Sequence, residues 1–247
     1  MGRAGLPAHS LATWAPAIRP LLAAPGTPDD AGHTLVWEGL FTHLHSADEM
    51  DGPGVSDQLA VLAEVREALR PPEGVVVHVA NSAAALRLGE EAGGARPGVF
   101  LYGGRVGEDL PAPDPVVSVR ARVVRVAEMP AGSTLGYGAT HRAHSAERWA
   151  TLAIGYGDGL PRALGNRGYA LIAGRRVPIV GRVSMDMTVA NISTLDGVEP
   201  GDVATLVGRD GPAEISLDEV AALSGTISYE VLTGLSPRLP RVWMEAE

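Results

Sequence analysis

Between residues 36 and 102, short runs that are apolar throughout alternate with segments whose apolar residues recur every three or four positions. Val36–Leu44 (VWEGLFTHL), Val75–Val79 (VVVHV) and Val99–Tyr102 read as strands buried on both faces, the condition of a parallel sheet covered by helices. Val55, Leu59, Leu62, Val65 and Leu69 mark one amphipathic helix, stopped by Pro71-Pro72. Ser82–Glu91 marks a second, ended by Gly93-Gly94. Strand, helix, strand, helix, strand predicts parallel βα units. Upstream, Leu11, Trp14, Ile18 and Leu21 have helical spacing that Pro16 and Pro20 interrupt, which predicts a broken helix. Residues 26–32 (GTPDDAG) read as an exposed loop.

The Pro-rich stretch Leu110–Pro115 separates this half from one of different character, placing the domains at 1–112 and 113–247. Val116–Val126, Ala150–Ile154, Ala170–Ile172, Val177–Val183, Thr188–Ile192 and Val203–Val207 follow at short intervals between Gly, Pro and Asp. They predict an all-β module, with one short helix at Leu217–Ser224. The fold class is therefore α/β followed by all-β.

Charge and composition exclude several functions. A net charge of −9 without a basic block argues against a nucleic-acid binder, which must neutralise phosphates. The lack of cysteine removes disulfides, thiolate zinc sites and a cysteine nucleophile, and suits a reducing cytoplasm. No apolar run is long enough to span a bilayer. The first residues carry no signal-peptide core, and Leu6 stands where a myristoylation motif wants Ser or Thr. All 20 basic residues are arginine, so these 247 residues contain no lysine amine.

Polar residues cluster at the ends of the apolar runs: His43, His45, Ser82 and Arg96. Catalytic groups in parallel barrels gather at the C-terminal strand ends. His43-Leu44-His45 alternates, so both rings can share one face; they read equally as strand-edge polar residues or as a metal pair in a barrel hydrolase, with Asp48 or Asp186 as further ligand. Ser82, at a strand-to-helix junction, caps the helix or holds a phosphate there. Arg96-Pro97-Gly98 offers a fixed planar cation beside backbone that a ligand can approach, or simply a surface arginine. In the second half, Tyr137 and Tyr156 each stand between glycines, in a chain with only 4% aromatic residues. They are turns that project a phenol, or turns with packed rings.

Taken in order, these segments resemble alanine racemase, the pyridoxal-phosphate enzyme of the fold-type III group. The likeness rests on Met1-Gly-Arg3-Ala-Gly5, Gly39-Leu-Phe-Thr-His43 with Ala47-Asp48-Glu49, Asn81-Ser82, Arg96-Pro-Gly98, Gly136-Tyr137-Gly-Ala-Thr140 and Gly155-Tyr156-Gly-Asp-Gly159. It continues through Gly181-Arg182 with Met185-Asp186, and Tyr229-Glu-Val231 with Arg238-Leu-Pro-Arg241. The resemblance implies a partial TIM-like (β/α) barrel that carries pyridoxal 5'-phosphate, then a C-terminal β domain. It implies a cytoplasmic homodimer with shared active sites that interconverts L- and D-alanine, the latter for peptidoglycan.

Carried over by position, Tyr137 matches one of two opposed acid/base groups. Free tyrosine ionises near pH 10, so that role implies a cationic neighbourhood. Arg96 matches the arginine facing the pyridine nitrogen, and His43 the histidine between that arginine and the tyrosine. Ser82, the Gly98 and Val99 amides and Tyr229 match the phosphate-binding set. Arg3 matches the arginine that steers the substrate carboxylate, and Met185 the residue whose backbone meets it. Tyr156, Asp48, Arg162 and Arg182 match the substrate entryway. The family's second acid/base group is the Schiff-base lysine, and no residue here matches it. The chain therefore reads as a C-terminal portion of such an enzyme, inactive by itself. Two further readings stand beside this one: the metal-dependent hydrolase, and a piece that binds pyridoxal phosphate without turning over.

Overall fold

The computed structural model describes residues 3–23, 37–49 and 54–244, and of residues 21–23 and 91 the backbone alone. The expected loop at 26–32 lies outside the described residues. The chain divides into two compact units, residues 1–100 with 106–111, and residues 101–105 with 112–247.

The first unit alternates helices and short strands: α1 (Leu11–Ala23), β1 (Gly39–Phe41), α2 (Val55–Leu69), β2 (Val76–His78) and α3 (Ser82–Leu88). β1 and β2 run parallel, Gly39 opposite Val76 and Phe41 opposite His78. A further parallel bridge joins Ala80 to Ala95. Trp14, Ala15, Trp37, Leu40, Val65 and Leu69 pack α1 and α2 beside β1.

Two expectations fail here. α1 runs unbroken through Pro16 and Pro20. The prolines lie four apart, on the exposed side, so the carbonyls they leave unbonded belong to the exposed residues Ala12 and Pro16, where water can satisfy them. Val99–Tyr102 forms a 3₁₀ turn, not a strand. The chain turns back immediately after it: Gly103 has φ +88°, and a Cβ there would lie 3.0 Å from the Asp114 carbonyl oxygen.

The second unit is a closed antiparallel barrel. Its strands are β3 (Val119–Met129), β6 (Glu147–Leu152), β7 (Tyr169–Ile172), β8 (Arg175–Val180), β9 (Thr188–Asn191) and β10 (Val203–Asp210), with the hairpin β4 (Thr134–Leu135) and β5 (His141–Arg142) inserted after β3. The order is β10-β3-β6-β9-β8-β7, and β7 pairs back with β10 to close the ring; β11 (Ala213–Ile215) extends β10 outside it. Along β3, Val119, Ala121 and Val123 point inward while Arg120 and Arg122 face out, until a bulge between Val123 and Arg125. The interior is filled by Leu152, Ala170, Ile172, Val177, Ile179, Ala190 and Leu206, all essentially buried. α4 (Leu217–Ser224), as expected, and α5 (Ser228–Gly234), not foreseen, complete the unit. No helix among the described residues is long and apolar enough to cross a membrane.

Register places the loops that matter. Leu152 at the end of β6 faces Thr188 at the start of β9, and Val180 at the end of β8 faces Val189. Segments 153–168 and 181–187 therefore leave the barrel at one end.

Candidate active site

In the first unit, Arg96 lies at the ends of both strands. Its Nη2 donates to the carbonyls of Thr42 (2.7 Å) and Val79 (3.3 Å), while Nη1 donates to the His78 carbonyl (3.4 Å) and contacts His78 Nδ1. The guanidinium sits 5.3 Å from the Phe41 ring centroid, and that ring stacks on His78. Carbonyls and rings thus fix a planar cation without a carboxylate partner among the described residues. His43 stands in its field. Burial, then Arg3, then Arg96 hold its imidazole below the usual histidine value, which favours the uncharged ring. Gln58 of α2 grips the His43–His45 backbone from both sides, donating to His43 O and accepting from His45 N. His45 turns to Ser46 Oγ, and Asp48 is exposed.

Asn81, not Ser82, caps α3, its Oδ1 accepting from Ala84 N at 2.9 Å. Ser82 is left as the first helical residue, 4% exposed. Its Oγ accepts from Gly98 N at 2.8 Å, so the Gly98 amide is already engaged and the hydroxyl proton is the group Ser82 can offer. Val99 is buried beside it. Among the described residues, no three His, Asp or Glu side chains converge as metal ligands would.

In the second unit, Tyr137 rides the tip of the β4–β5 hairpin, 73% exposed, between Gly136 (φ +69°) and Gly138 (φ +74°). Arg182 packs flat against that tip: a Cβ on Gly138 would stand 3.0 Å from its Nη1 and 3.3 Å from its Cζ. Only a glycine leaves the guanidinium that close to the turn carrying the phenol. Asn166 ties the same two pieces, donating to Thr140 Oγ1 (3.1 Å) and accepting from Gly181 N (2.6 Å). The root of the hairpin is anchored to β6: Glu147 Oε2 lies 2.8 Å from His141 Nε2 and accepts from Trp149 Nε1 at 2.6 Å.

The Tyr156 turn is pressed on residues 184–185. Tyr156 N donates to Ser184 O (3.0 Å) and Gly157 N to Met185 O (2.8 Å). A Cβ on Gly155 would lie 2.3 Å from Ser184 O and 2.4 Å from Met185 O. Buried Asp158 closes the turn, its Oδ2 accepting from Gly155 N at 3.0 Å. Arg162 opens a short 3₁₀ turn nearby, and Tyr229 lies on α5, half-exposed. Gln58 and Asn166 carry no mark in the sequence, because their partners are remote in it. Glu147 has near partners, His141 and Trp149, but no motif around it, and Arg238 stands out only as part of Arg238-Leu-Pro-Arg241.

Comparison with known proteins matches residues 1–106 to the family described as "Alanine racemase, N-terminal domain" and residues 116–243 to "Alanine racemase, C-terminal domain". The alanine racemase of Carboxydothermus hydrogenoformans is 40% identical over 215 residues, 84% of this chain and 58% of that protein. Among solved structures, alanine racemase from E. faecalis has a TM-score of 0.82 at 34% identity, covering 98% of this chain and 62% of that one. The Bartonella henselae alanine racemase with covalently bound pyridoxal phosphate has a TM-score of 0.80 at 29% identity, covering 99% and 64%. The chain thus spans less than two thirds of the length of each.

Proposed function

Because the chain belongs to the alanine racemase family, we propose that it forms the greater part of an enzyme that interconverts L- and D-alanine with pyridoxal 5'-phosphate. In this reading residues 1–112 are the C-terminal part of the cofactor-binding barrel and 113–247 the β domain. The assembly is a cytoplasmic homodimer in which one subunit's β domain completes the other's site, supplying D-alanine for peptidoglycan.

The residues present fit the cofactor's non-covalent needs. Arg96 is a cation fixed in advance at the strand ends, suited to the ring nitrogen, and buried Ser82 has a hydroxyl proton for a phosphate oxygen. Val99 and Tyr229 complete that phosphate set, with Gly98 acting through Ser82. For the aldehyde the chain has no lysine, so that bond needs an amine from outside these residues. When bound, pyridoxal phosphate supplies the electron-withdrawing ring that acidifies the amino acid's Cα–H.

The chain's own residues then divide the remaining tasks. Arg96 keeps the ring nitrogen unprotonated, because a second positive charge beside a guanidinium is unfavourable. His43 matches the family's histidine between this arginine and the phenol, where an unprotonated ring adds no charge. Arg3 and the Met185 backbone hold the substrate carboxylate. Tyr137 takes or returns the Cα proton on one face, and a lysine outside these residues serves the other. Tyr156, Asp48, Arg162 and Arg182 line the approach. The observation that carries this reading is Arg96, fixed by carbonyls and rings at the strand ends without a carboxylate partner among the described residues. The hydrolase reading has no comparable support, since the ligand set it needs is not assembled among the described residues.

The test joins the chain to a lysine-bearing segment of a relative and substitutes Tyr137→Phe. Loss of a general base costs about 10²–10⁴ in rate. Unchanged rates in both directions would remove Tyr137 from its role.

A further inference from the structure

We infer that Arg238, on the segment after α5, is a positioning residue that presents the Met185 and Asp186 amides as a paired donor for a carboxylate. The carbonyls come first. Ser184 O and Met185 O both accept from the Tyr156 turn, at 3.0 and 2.8 Å. A trans peptide points its carbonyl and the next N–H in opposite directions. The Met185 and Asp186 N–H groups therefore face away from that turn. Neither has a hydrogen-bond partner among the described residues, and both residues are exposed. Two adjacent outward amides form a small anion-attracting concavity.

One guanidinium holds this arrangement. Arg238 Nη2 donates to Asp186 Oδ1 at 2.7 Å, and its Nε stands 3.4 Å from Asp158 Oδ1. Asp158 is the residue that closes the Tyr156 turn, and its carbonyl also accepts from Ser236 N at 2.9 Å. Arg238 Nη1 fills the space a side chain on Gly157 would take, since a Cβ there would lie 2.6 Å away. Arg238 thus ties the Tyr156 turn to the 184–186 turn through one carboxylate on each. It also neutralises Asp186, which would otherwise repel an incoming carboxylate. That this carboxylate belongs to an amino acid rests on the proposed racemase reading; the positioning itself does not.

The experiment uses the full chain and two readouts, compared in wild type, Arg238→Gln and Arg238→Lys. Amide hydrogen exchange should quicken about tenfold at Tyr156 and Gly157 in Arg238→Gln, stay unchanged at Ala150 in the barrel, and be largely restored in Arg238→Lys. In wild type, millimolar acetate should shift the Met185 and Asp186 amide resonances, with affinity about tenfold weaker in Arg238→Gln. Unchanged exchange at Tyr156 and Gly157 overturns the positioning role. Quickened exchange with no acetate shift at Met185 and Asp186 overturns the carboxylate site. If Arg238→Gln unfolds the unit, Asp186→Asn, which removes one anchor, should quicken exchange at Tyr156 and Gly157 in the same way, and unchanged exchange there overturns the positioning role. Both readouts holding while the lysine-supplemented protein fails to racemise alanine would sink the proposed reaction and leave this inference standing.

Discussion

Replacing Gly155 with alanine tests how the fold builds the site. The new methyl would lie 2.3 Å from Ser184 O, 2.4 Å from Met185 O and 2.5 Å from Met185 C, all backbone atoms that cannot swing aside. The Tyr156 turn must lift by about 1 Å to restore ordinary contact. Three hydrogen bonds are then at stake: Tyr156 N to Ser184 O, Gly157 N to Met185 O, and Gly155 N to Asp158 Oδ2. Two neutral bonds at about 1 kcal/mol and one to a carboxylate at about 2 give roughly 4 kcal/mol. A domain has only about 5–15 kcal/mol to lose, and about 4 °C per kcal/mol puts the fall in Tm near 15 °C. The assay is thermal and urea unfolding followed by near-ultraviolet circular dichroism, where buried Trp149 reports on the barrel. Gly234→Ala is the control, because it ends α5 and nothing lies within 4 Å of its Cβ. It should be neutral or stabilise by a few tenths of a kcal/mol. If Gly155→Ala lost less than about 1 kcal/mol, the close seating of the Tyr156 turn on residues 184–185 would be refuted.

Further outcomes follow from the charges. His43, followed by nuclear magnetic resonance, should titrate below 6.5, and Arg96→Gln should raise that midpoint part of the way back, since burial and Arg3 remain; a midpoint that does not move contradicts the placement. At Glu147, burial alone would raise the carboxyl, but the hydrogen bonds from His141 and Trp149 outweigh it and hold the group below 4.5. A depressed carboxyl stabilises the fold above its unfolded value and loses that contribution as pH falls through the folded one. Glu147→Gln should therefore cost about 1–3 kcal/mol at pH 7 and progressively less below about pH 4; a penalty independent of pH, measured by urea unfolding, would show that the carboxylate's charge is not what anchors the hairpin.

Local pattern accounts for much of this architecture. The six strands of the barrel are each marked by an apolar run, and α2 by its spacing and the Pro71-Pro72 stop. Closure of the ring was not marked. It depends on β10 pairing with β3 on one side and β7 on the other, a matter of register between segments remote in sequence. Val99–Tyr102 shows why apolar composition alone misleads: the four residues turn instead of extending, and Gly103, at φ +88°, lets the chain reverse immediately after them. At the site, glycine flanks pointed to Tyr137 and Tyr156, whose turns tolerate no Cβ. Arg238 carried no such mark. Its carboxylate partner Asp186 lies 52 residues away, and one arginine among 20 looks like any other until the fold brings the pair together.

The proposed reaction needs an amine that these 247 residues do not contain. The direct measurement is chiral analysis of L- and D-alanine incubated with pyridoxal phosphate and either this chain alone or the chain joined to a lysine-bearing segment of a relative. Interconversion in both directions by the joined protein, and none by the chain alone, is the predicted result. Equal racemisation by the lysine-free chain, or a folded joined protein that binds the cofactor yet leaves both enantiomers untouched, would contradict it.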